Sequence, residues 1–408
     1  MEHLAIERHG GLSRVTARAT PVPGPGEVVL APESVSLCGT DIQMLRGLRD
    51  DPSPVIGHEG ACRVVAVGAG VTEVAVGDRV AVNPTHPGDP SFLLGHNVDG
   101  LFQQRVLIAA SAVTAGLLVP LGEKLESAAA TLVEPTAVVT YATDCLAGSP
   151  YEELVVIGDG LIGNLAALRA SLDPAAKVTL VHGGEAGLAW SARHLPGGTV
   201  RHVLARDLVR VAAENADRPV AVLIGTHRDR TVASLDLARQ AYGDAVRAVH
   251  LIGGVAPHAT SRYFPGVDLP GVRAANTGGP VPPHEVRWSD GRTPPVRFTG
   301  NRGVTGRALA AAAAELTAAD GRFDVLITHR RSMREGAELM NRMIHGRSRV
   351  VDGEVVMRLV VDLNDDLLVR TADAGAESAG TDRSDAAGVG RTPGGAGSGD
   401  ADDIRGVR

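Results

Sequence analysis

The sequence predicts an α/β fold in two parts, a small β-barrel or sandwich followed by a doubly wound parallel sheet. Three observations carry that reading. Short Val-rich runs between Gly and Pro turns fill the first third of the 408 residues. Farther on, fully apolar runs alternate with helix-length segments, the pattern of strands buried on both faces. Between one such run and a helical stretch stands Gly158-x-Gly160-x-x-Gly163, the turn that opens a dinucleotide-binding unit.

Taken in order, residues 27–31, 61–68, 78–82 and 104–108 read as the early strands, with Pro21, Pro23 and Gly24 marking a turn. Residues 137–146 have helical composition. Residues 154–157 are a buried strand entering the glycine turn, and 161–172 a helix leaving it. Strands at 178–181, 200–204, 220–224 and 249–252 follow, with a helix at 231–242. Residues 256–296 are rich in Pro and Gly, with little periodicity. They carry His258, Arg262, Tyr263, His284 and Arg287 and read as a functional or mobile loop. A helix at 306–317, a strand at 325–328 and a helix at 333–344 complete the fold, the last with Met333, Ala337, Met340 and Met343 on one face. From 371 to 408 the chain is nearly all Gly, Ala, Asp, Ser and Arg, a composition that predicts disorder.

Bulk properties exclude several classes. A net charge of -7 with 44% hydrophobic residues gives no basic footprint for nucleic acid. Of the 40 cations only Lys124 and Lys177 are lysine, an imbalance that fits genomic composition better than a binding surface. No run of about 18 apolar residues marks a membrane span, and Met1-Glu2-His3-Leu4 lacks a charged-then-apolar leader. Cys38, Cys62 and Cys145 are too few for a disulfide framework or a four-thiolate metal site. A cytoplasmic protein is expected.

The chemistry lies in Cys38-Gly39-Thr40-Asp41, Gly57-His58-Glu59 and Glu134-Pro135. A lone Cys is ordinarily a small buried hydrophobe, but a thiolate, an imidazole and carboxylates together suit zinc. Catalytic zinc needs three protein ligands and one open position. Cys38 and His58 are candidates, with Glu59 or Glu134 supplying the oxygen. In the glycine turn, Gly158 permits the bend, Gly160 admits the pyrophosphate and Gly163 lets the helix approach the strand; Leu161 and Ile162 open that helix. After the second strand, His182 and Glu185 stand where ribose hydroxyls are read, and Arg193 is a distant partner for a 2′-phosphate. Glu185 favours NAD, Arg193 NADP, and the choice stays open. Zinc as Lewis acid with a nicotinamide as hydride carrier is the pairing that interconverts an alcohol and a carbonyl.

These residues resemble the zinc-dependent medium-chain dehydrogenases of the alcohol dehydrogenase superfamily, and within them the polyol or sorbitol dehydrogenase branch. Gly77-Asp78-Arg79-Val80, Gly100-Leu101-Phe102 and Leu326-Ile327-Thr328-His329 extend the likeness over residues 1–370. The resemblance implies a GroES-like β-barrel catalytic domain at 1–147, a Rossmann nucleotide domain at 148–300, a return to the catalytic domain at 301–370 and a tail at 371–408. It implies Cys38 and His58 as zinc ligands, and Glu59 and Glu134 as carboxylates that exchange between ligating the metal and holding water. Thr40 would pass the substrate's proton outward, with Asp41 structural. Gln43 stands where many relatives complete the relay with His, so the proton must leave by water or a cofactor hydroxyl. Residues 83–104 hold no cysteine, so one catalytic zinc and no structural zinc is expected. The implied substrate is a secondary alcohol on a polyol, cyclitol, amino sugar or sugar phosphate, and the implied assembly a homodimer or homotetramer that pairs sheet edges. The rivals are a zinc-free quinone or enoyl reductase on this scaffold and a catalytically idle nucleotide-binding relative.

Overall fold

Every residue of Glu153–Ile157, Val178–His182 and Val220–Ile224 is buried, because helices cover both faces of the sheet they form. The computed structural model describes residues 1–195, 197–215, 218–291 and 293–363. The expected tail, 371–408, lies outside the described residues.

The sheet runs Val200–Leu204, Val178–His182, Glu153–Ile157, Val220–Ile224, Val246–Leu251, Val296–Gly300, all parallel, and ends in an antiparallel strand, Val286–Trp288. From Glu153–Ile157 the chain winds outward one way and then crosses to wind out the other way. The crevice at that reversal, beyond the carboxyl ends of Glu153–Ile157 and Val220–Ile224, is where such sheets take ligands.

A second seven-stranded sheet orders His329–Ser332, Leu359–Asp362, Val28–Ser36, Glu59–Val67, Arg79–Val82 and Leu118–Pro120, with Val106–Ile108 also on Val28–Ser36. Its core includes Leu30, Val64, Phe102, Met333, Met340 and Met343, so the amphipathic helix Met333–His345 packs its methionines there as its spacing predicts. The chain thus returns to its first sheet at the end. Both sheets belong to one compact unit, Met1–Asp366. Among the described residues, no helix is long and apolar enough to cross a membrane.

The structure corrects two expectations. Residues 325–328 are not a strand: Asp324–Leu326 is a 3-10 turn, and the strand is the polar edge His329–Ser332, whose sequence lacks an apolar signal. Residues 256–296 are more than loop. Helix Leu269–Ala274 and strand Val286–Trp288 lie within them, and Val296 begins a central strand. Phe264 sets its ring edge-on to Trp288 and Phe298, at centroid distances of 5.1 and 5.0 Å, a satellite core built from residues too far apart to show a period. The hairpin Glu2–His9 with Leu12–Ala19 was also unforeseen, although its Gly10-Gly11 turn, at φ +54° and +84°, is the usual hairpin signal.

Candidate metal and nucleotide sites

Cys38 caps the helix Gly39–Leu45, whose Asp41 closes a capping box by accepting the Cys38 backbone N–H at 2.9 Å. The other Asp41 oxygen accepts from the Gly57 N–H at 3.3 Å and faces His58 Nδ1 at 3.7 Å. Asp41 therefore ties the thiol-bearing turn to the backbone that leads into His58, the structural role expected of it. The donor atoms of Cys38, His58 and Glu59 all lie within 4.8 Å of one another.

Glu134, in the first turn of Val133–Ala147, is not in that trio, and its carboxyl faces Glu59 instead. Burial and the Glu59 charge push Glu134 upward. Burial, then Glu59 and Asp41, likewise push the Cys38 thiol well above its ordinary value. A buried sulfur among carboxylates becomes a thiolate only beside a cation, so this donor set fits a zinc ion. The Thr40 hydroxyl lies beside the Cys38 sulfur, buried and without a hydrogen-bond partner. Gln43 sits on the same helix, half-buried.

The nucleotide turn has the geometry its spacing predicts. Gly158 holds φ at +115°, open to glycine. A Cβ on Gly163 would come within 1.7 Å of the Gly158 carbonyl oxygen, whereas at Gly160 the nearest such atom is Arg349 Nη1 at 4.0 Å. One glycine is thus demanded by packing and another leaves a free face at the amino end of helix Leu161–Ala170, the arrangement that accepts a pyrophosphate. Asp159, between them, pairs with Arg349 at 2.8 Å and with His182 Nδ1 at 3.1 Å.

His182 ends the second strand as expected, but it is fully buried, and its other nitrogen lies 3.0 Å from His202 Nδ1. Against the burial that raises it, His182 and Arg349 hold the Asp159 carboxyl below its usual range. Glu185 opens the next helix, exposed and paired with Arg206, and Arg193 is exposed on that helix.

Residues 24–118 match the alcohol dehydrogenase GroES-like domain. The chain is 42% identical over 93 residues to sorbitol dehydrogenase of Gallus gallus, covering 21% of this chain and 26% of that enzyme. It is 31% identical over 174 residues to L-galactonate-5-dehydrogenase of Escherichia coli, covering 39% and 49%. It thus spans about half, or less, of the length of these curated relatives. Galactitol-1-phosphate dehydrogenase of Escherichia coli superposes with a TM-score of 0.64 at 19% identity, over 89% of this chain and 100% of that one. For 2R,3R-butanediol dehydrogenase of Bacillus subtilis the TM-score is 0.66 at 20% identity, over 89% and 99%. At that identity the likeness is one of fold. Residues 24–118 are thus a GroES-like domain of the alcohol dehydrogenase type.

The structure adds residues that sequence reasoning missed. Arg358 and Glu59 form a sealed ion pair, and Ser36 Oγ donates to the same carboxylate oxygen at 3.1 Å. A second Arg358 nitrogen donates to the Thr131 carbonyl. The signal was available: Arg358 is the lone cation in the apolar run from Val355 to Val361, and such a charge must find a partner. Asp159 and Arg349 gave no such signal, because 190 residues separate them.

Proposed function

We propose that this chain is a zinc-dependent, NAD(P)-linked oxidoreductase that interconverts a secondary alcohol and a ketone on a polyol, cyclitol, amino sugar or sugar phosphate. The observation that carries the reading is the close grouping of Cys38 Sγ, a His58 nitrogen and a Glu59 oxygen. A zinc-free reductase on this scaffold would have no use for that donor set. The names of the relatives, sorbitol dehydrogenase and L-galactonate-5-dehydrogenase among them, support the substrate class.

Cys38, His58 and Glu59 would hold the ion, with Glu134 poised to hold water or to take a ligand position. A zinc ion there supplies Lewis-acid chemistry at the substrate oxygen, and a nicotinamide supplies the hydride acceptor. Thr40 Oγ1, buried and unpartnered, accepts the hydroxyl proton as the carbon gives up its hydride. Since Gln43 cannot carry that proton further, it leaves Thr40 by water or a ribose hydroxyl. Arg358 holds the Glu59 carboxylate in place. Asp41 sets a carboxylate 3.7 Å from His58 Nδ1, a negative charge beside the ring.

The Gly158–Gly163 turn takes the pyrophosphate. Glu185, at the start of the helix after the second strand, would accept from the ribose hydroxyls, which favours NAD over a 2′-phosphorylated cofactor. The test is a panel of polyols, cyclitols and sugar phosphates with each nicotinamide, read by absorbance of the reduced cofactor, beside metal analysis of the same protein. About one zinc per chain and turnover of a polyol are expected. Turnover by zinc-free protein overturns the reading.

A further inference from the structure

Four arginines, one of them close to the metal donors, lie near enough to repel one another. Arg228 follows the strand Val220–Ile224, Arg273 donates from Nε to the carbonyl of Ile252 at 3.1 Å just beyond Val246–Leu251, and Arg302 follows Val296–Gly300. These strands are neighbours in the parallel sheet, so all three arginines stand at its carboxyl edge, where ligands bind. The fourth comes from the other lobe. Arg49 Nη2 lies 3.5 Å from His96 Nδ1, and the His96 ring is centred 5.3 Å from that of His58.

Their charges are poorly compensated. Arg49 pairs with Asp51, but among the described residues no carboxylate lies within ion-pair distance of Arg228, Arg273 or Arg302. Arg228 Nε is buried with no hydrogen-bond partner. Burial, then the like charges of Arg302, Arg49 and Arg228, push the Arg273 guanidinium down to about 10. In a chain whose net charge is -7, a cationic cluster assembled against its own repulsion awaits an anion.

We propose that Arg49, Arg228, Arg273 and Arg302 form an oxyanion subsite beside the metal, so that the substrate is an alcohol carrying a phosphate or carboxylate. This rests on the oxidoreductase reading and narrows its substrate class. Guanidinium forks match both groups, which they can clasp through paired hydrogen bonds. The 256–296 segment thereby gains a purpose, since it delivers Arg273.

Calorimetric titration of the full-length, zinc-loaded protein tests this with three probes: inorganic phosphate, D-gluconate and neutral D-sorbitol. At least one anion should bind ten-fold or more tighter than sorbitol, and that affinity should fall ten-fold or more in both Arg273→Gln and Arg302→Gln. Tighter phosphate points to phosphorylated substrates, tighter gluconate to acids, and either supports the subsite. Affinity unchanged in both variants, or no preference over sorbitol, overturns it. Saturating NADH should leave anion binding intact; displacement by NADH would assign the arginines to the cofactor and overturn the proposal. Because Arg273→Gln relieves repulsion, its thermal midpoint should not fall, which separates lost binding from lost folding. If NADH fails to bind at all, the oxidoreductase reading falls, while the anion titration still stands or fails by itself.

Discussion

Arg358 Nη1 lies 2.9 Å from Glu59 Oε2, with side-chain exposures of 1% and 3%. Neither ion can reach water, so each depends on the other. Arg358→Met leaves a buried carboxylate without its counter-charge, at a cost of about 3–5 kcal/mol. Adding Glu59→Gln removes the stranded charge and should restore most of that loss. Urea denaturation of the single and double variants checks this; equal midpoints would show that the two are not coupled.

Zinc content and turnover should separate by residue. Cys38→Ser and His58→Ala should lower bound zinc from about one per chain toward none, since a catalytic site has three protein ligands to lose. Thr40→Val should keep the metal yet slow turnover by about 10²- to 10⁴-fold, the range for losing a proton-transfer group. Metal analysis beside steady-state rates reads both, and wild-type rates in Thr40→Val would remove Thr40 from the proton path.

Gly163→Ala drives a methyl into the Gly158 carbonyl, which belongs to the pyrophosphate turn itself. Such overpacking costs about 1–3 kcal/mol, and the helix must back away from the ligand. Calorimetry should show NADH affinity down by an order of magnitude or more. In the wild type NADH should bind more tightly than NADPH, and Glu185→Ser should narrow the gap.

Acid should destabilise the protein in part through His250. Its ring is fully buried, with Nδ1 2.9 Å from Thr299 Oγ1 and Nε2 3.1 Å from Asn301 Oδ1. Burial holds its pKa at about 4, against 6.5 for a free ring. Above pH 6.5 the ring is neutral in both folded and unfolded chains. Below it, the unfolded chain takes up a proton that the folded one refuses until about pH 4. Stability therefore falls across that window, by up to about 1.4 kcal/mol per pH unit from this site. Unfolding measured at pH 7, 6 and 5 should show a shallower decline in His250→Gln.

Much of this was legible in the sequence, for physical reasons. A strand buried on both faces has to be apolar throughout, so Val220–Ile224 declared itself. The glycine turn did so because its spacing is dictated by backbone contacts inside one short segment. Cys38, His58 and Glu59 were readable as donors because few other tasks need that mixture. What escaped depends on distance along the chain. Arg49 stands far in sequence from Arg273 and Arg302, whose charges it meets, and a polar edge strand such as His329–Ser332 has no apolar period to betray it.

Val286–Trp288 lies along the outer rim of Val296–Gly300, through pairs from Val286↔Phe298 to Trp288↔Val296. The amides and carbonyls that a neighbouring copy would need there to continue the sheet are already engaged. What faces outward is three residues long, with Glu285 and Arg287 paired across its start. Short, charged rims resist strand addition. No peptide ladder from another molecule can reach the Val296–Gly300 rim itself, since Val286–Trp288 already holds it.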